Sequence, residues 1–170
     1  AAIAAGVDAA ARAGLLIRDF KAAERATSIC AIAFDKTGTL TEGAPKLIST
    51  TPAPGFALDE ILRLAASAQS GSEHPLARAT VGATVGKTLP PESFEARPGQ
   101  GLVARVQGQV IAIGSANLMA AEGIAVDILD AAVAKAAEGG CSIAFVAVDG
   151  ALAGLLAFRD EPRAEATAAI

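Results

Sequence analysis

The order of apolar and polar residues along the chain predicts a protein of mixed helices and strands. Apolar residues recur at helical spacing over 7–26 (with an interruption near Gly14), 59–67, 74–85 and 127–138. Alternating or continuous short apolar runs predict strands over 46–51, 102–106, 109–113, 143–148 and 152–158. Asp149-Gly150, between the last two runs, is a strong signal for a hairpin turn. The centre of the chain is therefore expected to be an α+β body.

A further apolar run, Ile-Cys-Ala-Ile-Ala-Phe over 29–34, is bounded by polar residues. A continuous run of this length predicts a strand that is buried on both faces of a parallel sheet. Open α/β sheets bind their ligands beyond the carboxyl ends of such strands. The loop that begins at Asp35 is therefore the first candidate site.

The residue types in this loop suit phosphoryl chemistry. Asp35 can attack a phosphoryl group as a nucleophile, with Mg²⁺ neutralising the charge that develops. Lys36 adds positive charge, and Gly38 lets the backbone turn tightly. The hydroxyl and backbone N–H groups of Thr37 and Thr39 can hydrogen-bond phosphate oxygens.

Composition excludes several other classes of protein. Of the 170 residues, 52% are hydrophobic and 4% are aromatic, without Trp or Tyr, and the formal net charge is −4. The apolar content disfavours disorder, while the acidity and the few aromatic side chains disfavour a nucleic-acid partner. No apolar stretch reaches the ~18 residues of a membrane span. Cys30 and Cys141 lie far apart, in no zinc-ligand spacing, and are expected to be buried free thiols.

The run Asp-Lys-Thr-Gly-Thr-Leu-Thr over 35–41 resembles the phosphorylation motif of P-type ATPases in full. The resemblance implies that Asp35 is phosphorylated by ATP, and that the Asp35 carboxylate and the Thr37 carbonyl contact Mg²⁺. Haloacid-dehalogenase-like phosphatases share this nucleophile but carry a second Asp two positions later, which acts as acid and base and speeds loss of the phosphate. Thr37 stands at that position here, which favours the longer-lived aspartyl phosphate of a pump.

A second segment, Ser-Glu-His-Pro-Leu-Ala over 72–77, is similar to the signature of the heavy-metal (P1B, copper-transporter-like) branch of these ATPases. Taken alone, the single histidine of the chain would more often be structural than functional. In the P1B branch the corresponding Glu and His lie against adenine. The resemblance therefore implies that Glu73 and His74 contact the base of ATP.

Three glycines follow the nucleotide-pocket pattern of the same family. Gly99 and Gly101 fall at the glycine pair that lines the pocket, where missing side chains allow close backbone approach. Gly114 ends a strand, as in the family, and is followed by Ser115 where the family commonly has Asn. Ser115 can still donate or accept a hydrogen bond, with shorter reach.

The resemblance implies an α/β protein: a haloacid-dehalogenase-like (Rossmannoid) phosphorylation domain with an inserted α+β nucleotide-binding domain, whose antiparallel sheet is flanked by helices. We expect a stalk helix and the first part of the phosphorylation domain over 1–44, the nucleotide-binding domain over 45–159, and the return into the phosphorylation domain over 160–170. The chain starts at Ala1 and its only methionine is Met119, so we expect a segment of a longer protein. The family's Thr-Gly-Asp and Gly-Asp-Gly-x-Asn-Asp segments do not occur in the chain. We therefore expect it to bind ATP without turnover by itself.

The implied function is ATP binding and aspartyl-phosphate formation in a heavy-metal-translocating P-type ATPase, on the cytoplasmic face of a membrane. The implied partners are ATP, the metal ion held by a membrane domain, and the transmembrane and actuator domains of the same polypeptide. We expect no nucleic-acid partner and a monomeric segment. The metal stays open among copper, silver, zinc, cadmium and cobalt, because selectivity lies in membrane residues. A soluble haloacid-dehalogenase-like phosphatase and a non-catalytic nucleotide-binding module are the alternatives.

Overall fold

The first part of the chain is helical. The structure, a computed structural model, describes residues 2–86 and 88–169, and the chain divides after Phe34 into two units. The first unit contains helices α1 (Ala2–Arg12) and α2 (Phe20–Arg25), and a 3₁₀ turn over Ala26–Ser28 follows α2. Gly14, with a φ of 80°, lies between the two helices, which confirms the predicted interruption.

The buried strand predicted over 29–34 is wrong. These residues have no regular secondary structure, and the side chains of Ile29, Ile32 and Phe34 are exposed. A buried parallel strand needs partner strands beside it and helices over both faces. Every strand of the described residues belongs to one antiparallel sheet that begins after residue 45, so this run has no parallel partner. Cys30 is exposed and Cys141 is partly buried, both as free thiols, so their predicted full burial is also wrong.

The second unit begins with a turn over Lys36–Leu40. Its remaining elements are, in order, β1 (Lys46–Pro52), α3 (Leu58–Gln69), α4 (Pro75–Ala83), β2 (Ser93–Arg97), β3 (Gly101–Val106), β4 (Gln109–Gly114), α5 (Ala116–Ala121), α6 (Asp130–Glu138), β5 (Ser142–Val148), β6 (Ala151–Arg159) and α7 (Ala166–Ala169). The predicted strands β1 and β3–β6 and the predicted helices α3, α4 and α6 are confirmed. The sequence pattern did not predict β2 or α5.

The strands form one antiparallel sheet in the described residues, with the order β1-β6-β5-β4-β3-β2. The turn between β5 and β6 confirms the predicted hairpin, because Asp149 and Gly150 have φ values of 49° and 80°. Positive φ at both central residues is the geometry that two-residue hairpins of type I′ require.

Helices cover both faces of this sheet. On one face, Ile61 and Leu64 of α3 pack in a buried cluster with Phe158 and neighbouring strand residues. On the other face, Leu118 of α5 packs in a second buried cluster that includes Phe145. Residues 153–158 of β6 are consequently buried without alternation. The predicted antiparallel sheet flanked by helices is confirmed.

Candidate functional site

The loop after Asp35 is closed by its own main chain. The Thr41 N–H donates to the Lys36 carbonyl at 3.1 Å, and the Gly38 N–H donates to the Thr41 hydroxyl oxygen at 3.1 Å. Gly38 has a φ of 81°, which a residue without a Cβ adopts without strain. Asp35 is exposed and its side chain caps no backbone group of the turn, so its carboxylate is accessible.

Asp160, just after β6, holds the other side of this loop. Its carboxylate accepts from the buried Thr41 hydroxyl at 2.5 Å, from the Gly43 N–H at 3.2 Å and from the Ala44 N–H at 3.1 Å. Arg163 also contributes, because its side chain donates to the Gly38 carbonyl at 3.3 Å. Hydrogen bonds to a charged group are stronger than those between neutral groups, so this cluster stabilises the loop beside the sheet.

Two cavities lie next to each other in the second unit. The first, here called the loop cavity, has a volume of about 830 Å³ and is lined in part by Lys36, Thr37 and Arg159. The second, here called the sheet cavity, has a volume of about 410 Å³ and lies between α4 and the β2–β4 end of the sheet. His74 and Leu76 line both cavities. The predicted residues His74, Gly99, Gly101, Gly114 and Ser115 all line the sheet cavity.

The backbone around α4 orients the imidazole of His74. Its Nδ1 accepts from the Leu76 N–H at 3.2 Å and caps α4, whose first residue is Pro75. A neutral imidazole whose Nδ1 is an acceptor carries its proton on Nε2. The helix cap therefore leaves an Nε2–H donor for a ligand where the two cavities meet.

The glycines of the sheet cavity serve two different purposes. A Cβ added at Gly99 would meet no atom within 4 Å, so this glycine leaves open space. A Cβ at Gly101 would lie 2.1 Å from the Ile113 carbonyl oxygen, and one at Gly114 would lie 2.0 Å from that of Gln100. Gly101 and Gly114 are thus required by the close approach of β3 to β4, whether or not a ligand is bound.

The structure does not bring every predicted residue to these cavities. The side chain of Glu73 is 97% exposed and lies 3.9 Å from the Arg78 guanidinium, outside the lining of both cavities. Asp35, Gly38 and Thr39 also line neither cavity, although their loop neighbours Lys36 and Thr37 line the loop cavity. The roles predicted for these residues stay predictions.

Gln69, which the sequence reasoning missed, lines the sheet cavity at the end of α3. It is 5% exposed, and its Oε1 is buried without a hydrogen-bond partner among the described residues. The available signal was its spacing, because Gln69 continues the buried stripe of Ile61 and Ala65 at intervals of four residues. A polar side chain on a buried helical stripe needs a partner, and a bound ligand can supply one.

Arg97 supplies the positive charge of the sheet cavity. Among the described residues that line this cavity, Arg97 is the only lysine or arginine. Its guanidinium lies 2.9 Å from the Glu95 carboxylate and 3.3 Å from that of Glu122. Since two carboxylates already neutralise this charge, an anionic ligand would have to compete with them.

Two features are absent from residues 2–86 and 88–169: a cluster of potential metal ligands and a helix that could span a membrane. No group of three or more His, Cys, Asp or Glu side chains is placed to hold a metal ion. None of the helices in this part of the chain is both long and apolar enough to cross a bilayer.

Comparison with known proteins identifies the class. The family profile described as haloacid dehalogenase-like hydrolase matches residues 29–170. The chain therefore belongs to the haloacid dehalogenase-like hydrolase family.

Individual relatives narrow the class to the heavy-metal P1B-type ATPases, copper- and zinc-transporter-like, as the sequence motifs predicted. The copper-exporting P-type ATPase of Legionella pneumophila is 41% identical over 161 residues, which cover 93% of this chain and 22% of that protein. A zinc-transporting PIB-type ATPase in the E2.Pi state is 34% identical with a TM-score of 0.69, over 99% of this chain and 28% of that one. The chain spans 19–20% of the length of three copper-transporting relatives from Rhizobium, and so matches one segment of such proteins.

The body of the second unit has the fold of the nucleotide-binding domain of these ATPases. The N-domain of HMA6, a copper-transporting P-type ATPase, superposes with a TM-score of 0.59 and 27% identity, over 68% of this chain and 99% of that one. The α+β architecture predicted from the sequence is thereby confirmed.

Proposed function

We propose that the chain is the ATP-binding and aspartyl-phosphate-forming segment of a heavy-metal-translocating P-type ATPase. Residues 45–159 would form the nucleotide-binding domain, 1–44 the stalk and first part of the phosphorylation domain, and 160–170 the return. The observation that carries the proposal is the sheet cavity, whose lining includes Gln69, with its unpartnered buried oxygen, His74, whose Nδ1 caps α4, and the open backbone at Gly99.

The sheet cavity suits the base of a nucleotide. Its volume of about 410 Å³ falls in the range of small-molecule sites, and apolar side chains such as Leu102 and Ile113 contribute to its walls. The Gln69 side chain would turn its Oε1 toward the cavity that it lines and accept a hydrogen bond from the exocyclic amine of adenine, which would give this acceptor its missing partner. His74 would donate from Nε2 or stack on the ring, and Ser115 and the glycines would bound the sugar side.

The loop cavity suits the phosphates. It adjoins the sheet cavity at His74, and its lining includes the cationic side chains of Lys36 and Arg159. A triphosphate that extends from the base would therefore point toward the loop that carries Asp35. An Asp35 oxygen would then form a bond to the γ-phosphorus while the bond to the β,γ-bridging oxygen breaks, and ADP would leave with that electron pair.

The donor set at the loop fits Mg²⁺. The exposed Asp35 carboxylate and the Thr37 carbonyl are oxygen ligands, and Mg²⁺ commonly uses one or two carboxylates together with water and substrate phosphates. When bound, the ion would supply charge neutralisation at the transferring phosphoryl group. Thr37 stands where a phosphatase would need an acid and base, so the aspartyl phosphate would persist long enough to drive a conformational change.

In the full polypeptide, this phosphorylation would be coupled to metal-ion transport through transmembrane and actuator domains, with the present segment on the cytoplasmic side. By itself, the segment would bind ATP as a monomer without turnover. Incubation with γ-labelled ATP and Mg²⁺ should accordingly leave no labelled protein, whereas the full-length ATPase should be labelled at Asp35.

The test of nucleotide binding is a calorimetric titration with ATP of the parent chain, His74→Asn and Asp35→Asn. Asparagine is a good helix N-cap, so His74→Asn keeps the cap of α4 and removes the imidazole. We expect His74→Asn to weaken ATP binding about tenfold, the effect of losing about 1.4 kcal/mol of contact, and Asp35→Asn to bind within about twofold of the parent. A folded parent that releases no heat with ATP, or a His74→Asn variant that binds as the parent does, would show that the assigned pocket is wrong.

A further inference from the structure

Arg159, at the end of β6, is a cation without a carboxylate partner. Among the described residues, no carboxylate oxygen lies within 4.0 Å of its guanidinium, whereas the guanidinium of Arg97 has two such neighbours. Within the same part of the chain, its side chain makes one hydrogen bond, from Nη2 to Cys141 Sγ at 3.9 Å. Since a guanidinium has five N–H donors and sulfur is a weak acceptor, most of this donor capacity is available to a ligand.

The surroundings of Arg159 position its guanidinium at the wall of the loop cavity. The guanidinium lies against Gly139, at the C-terminal end of α6, since a Cβ built on Gly139 would lie 3.1 Å from Nη2. The C-terminal end of a helix carries partial negative charge, which favours a cation in this place. Gly139, Gly140 and Ser142 line the loop cavity together with Arg159. The end of α6 therefore holds Arg159 where a ligand in this cavity would meet it.

A second cation stands opposite Arg159 in the sheet. Lys46 is its partner in the register of β1 and β6, and both residues are exposed. Directly opposite residues of an antiparallel pair have Cβ atoms about 4.5–5.5 Å apart on one face, and like charges there destabilise the pair. No carboxylate of the described residues lies within 4.0 Å of either charge. An anion bound between the two side chains would remove this repulsion.

The charge of the loop cavity is opposite to that of the whole chain. The chain has a formal net charge of −4, but the charged side chains that line this cavity are those of Lys36, Arg159 and Asp160. The Asp160 carboxylate already accepts three hydrogen bonds from its own loop, so the cations dominate the charge that a ligand meets. Ser142 adds a hydroxyl donor. Cations with several N–H and O–H donors suit a phosphate group.

We propose that Arg159, together with Lys46, selects nucleotides by the number of their phosphates, because this pair takes the β- and γ-phosphates. The inference rests on the proposed function for the identity of the ligand, since a base in the sheet cavity would direct its phosphates past His74 into the loop cavity. Adenosine monophosphate would fill the sheet cavity but leave the two cations unmatched. The preference for ATP over the monophosphate would therefore come from Arg159 and Lys46.

The test is a calorimetric titration with ATP, adenosine monophosphate and inorganic tripolyphosphate, in a magnesium-free chloride buffer. Tripolyphosphate carries the phosphate chain without the base, so it separates the two halves of the site. The variants are Arg159→Gln and Lys46→Gln, each of which removes one charge and keeps a polar side chain. Arg105→Gln is the matched control, because Arg105 is an exposed cation of the same sheet that lines neither cavity.

We expect the parent to bind ATP at least about tenfold more tightly than the monophosphate. Arg159→Gln should weaken ATP and tripolyphosphate about tenfold, since a charged hydrogen-bond donor is lost, and should leave the monophosphate within about twofold. Lys46→Gln should weaken ATP and tripolyphosphate about threefold, because an ammonium is a single point charge. Arg105→Gln should change none of these constants by more than about twofold.

Melting of the ligand-free chain in the same buffer separates binding from folding. Lys46→Gln relieves the cross-strand repulsion and should raise the melting temperature by about 1–3 °C. Tripolyphosphate should then stabilise the parent more than it stabilises Lys46→Gln. A lower melting temperature for ligand-free Lys46→Gln would contradict the repulsion between Lys46 and Arg159.

The three ligands keep this inference distinct from the proposed function. If the parent binds ATP and Arg159→Gln binds it equally well, the base pocket stands and the role of Arg159 is overturned. Where Arg159→Gln does not fold, unchanged tripolyphosphate binding by Lys46→Gln overturns the phosphate site. If tripolyphosphate binds through Arg159 but neither nucleotide binds more tightly than it, the phosphate site stands and the base pocket fails. A parent that binds none of the three ligands overturns both.

Discussion

Gly101→Ala is the substitution whose cost the structure defines most directly. Gly101 begins β3 and pairs with Gly114 of β4, with a φ of 144° that side-chain-bearing residues rarely adopt. The added methyl carbon would lie 2.1 Å from the Ile113 carbonyl oxygen and 2.6 Å from the Gly114 Cα, both of which are backbone atoms. No side-chain rotation can relieve contacts with backbone, so the two strands must separate.

The size of the effect follows from that separation. To move from 2.1 Å to the roughly 3.3 Å of a close carbon–oxygen contact, the ends of β3 and β4 must part by more than about 1 Å. Backbone strain at this φ costs about 1–3 kcal/mol, and forced overpacking costs about 1–3 kcal/mol more. The hydrogen bond from the Ser115 N–H to the Gln100 carbonyl, at 2.7 Å, would also weaken. We expect a loss of about 3–6 kcal/mol, a large part of the roughly 5–15 kcal/mol that stabilises a typical domain.

The assay is thermal and urea unfolding of Gly101→Ala beside Gly99→Ala. Gly99 has a φ of 72°, but an added Cβ there meets nothing within 4 Å, so its cost should be limited to about 1–2 kcal/mol of backbone strain. The melting temperature should fall by roughly 10–20 °C for Gly101→Ala and by a few degrees for Gly99→Ala. If the two variants lose equal stability, the glycine of β3 does not serve strand packing and the reasoning fails.

Two further predictions concern the loop and the start of α5. Asp160→Asn removes a charged acceptor of three hydrogen bonds, so the amides of Gly43 and Ala44 should exchange hydrogen at least about tenfold faster. The control is Glu161→Gln, whose side chain makes none of these bonds and which should leave the exchange unchanged. Equal exchange rates in the two variants would contradict the role assigned to Asp160. Ser115→Ala removes the N-cap of α5 and should lower the free energy of unfolding in urea by about 1 kcal/mol. Ser115→Asn keeps a capping side chain and should retain the parent stability. If Ser115→Asn loses as much stability as Ser115→Ala, the capping role is refuted.

The sequence pattern predicted correctly those strands whose pairing partners lie close by in the sequence. β5 and β6 pair with each other through the Asp149-Gly150 turn and lie under helices on both faces, so their apolar runs have local partners. The run over 29–34 is equally apolar, yet it has no strand partner among the described residues. An apolar run reports a tendency to be buried, and only the surroundings determine whether burial occurs.

The sequence motifs predicted part of the candidate site. His74, Gly99 and Ser115 were found from their family pattern and do meet in the sheet cavity. Glu73 was inferred from the same family pattern; its side chain is in solvent here, outside the lining of the sheet cavity, and its role stays a prediction. Gln69 lies five positions before His74 and reaches the cavity because the chain turns back after α3. That juxtaposition comes from tertiary structure, which a linear motif does not encode.

Under the proposed function, the connection between the sheet and the loop after Asp35 would couple nucleotide binding to Asp35. β1 and β6 pair from Lys46 and Arg159 onward, and the two segments leave the sheet side by side. Beyond the sheet they stay joined by the Thr41–Pro162 bridge and the Asp160 carboxylate. Two chain segments that are hydrogen-bonded to each other resist twisting about either segment, but they can bend together. Such a pair can act as a hinge. Under the proposed function, a nucleotide with its base in the sheet cavity would place its phosphates in the loop cavity, beside this connection, because His74 lines both cavities.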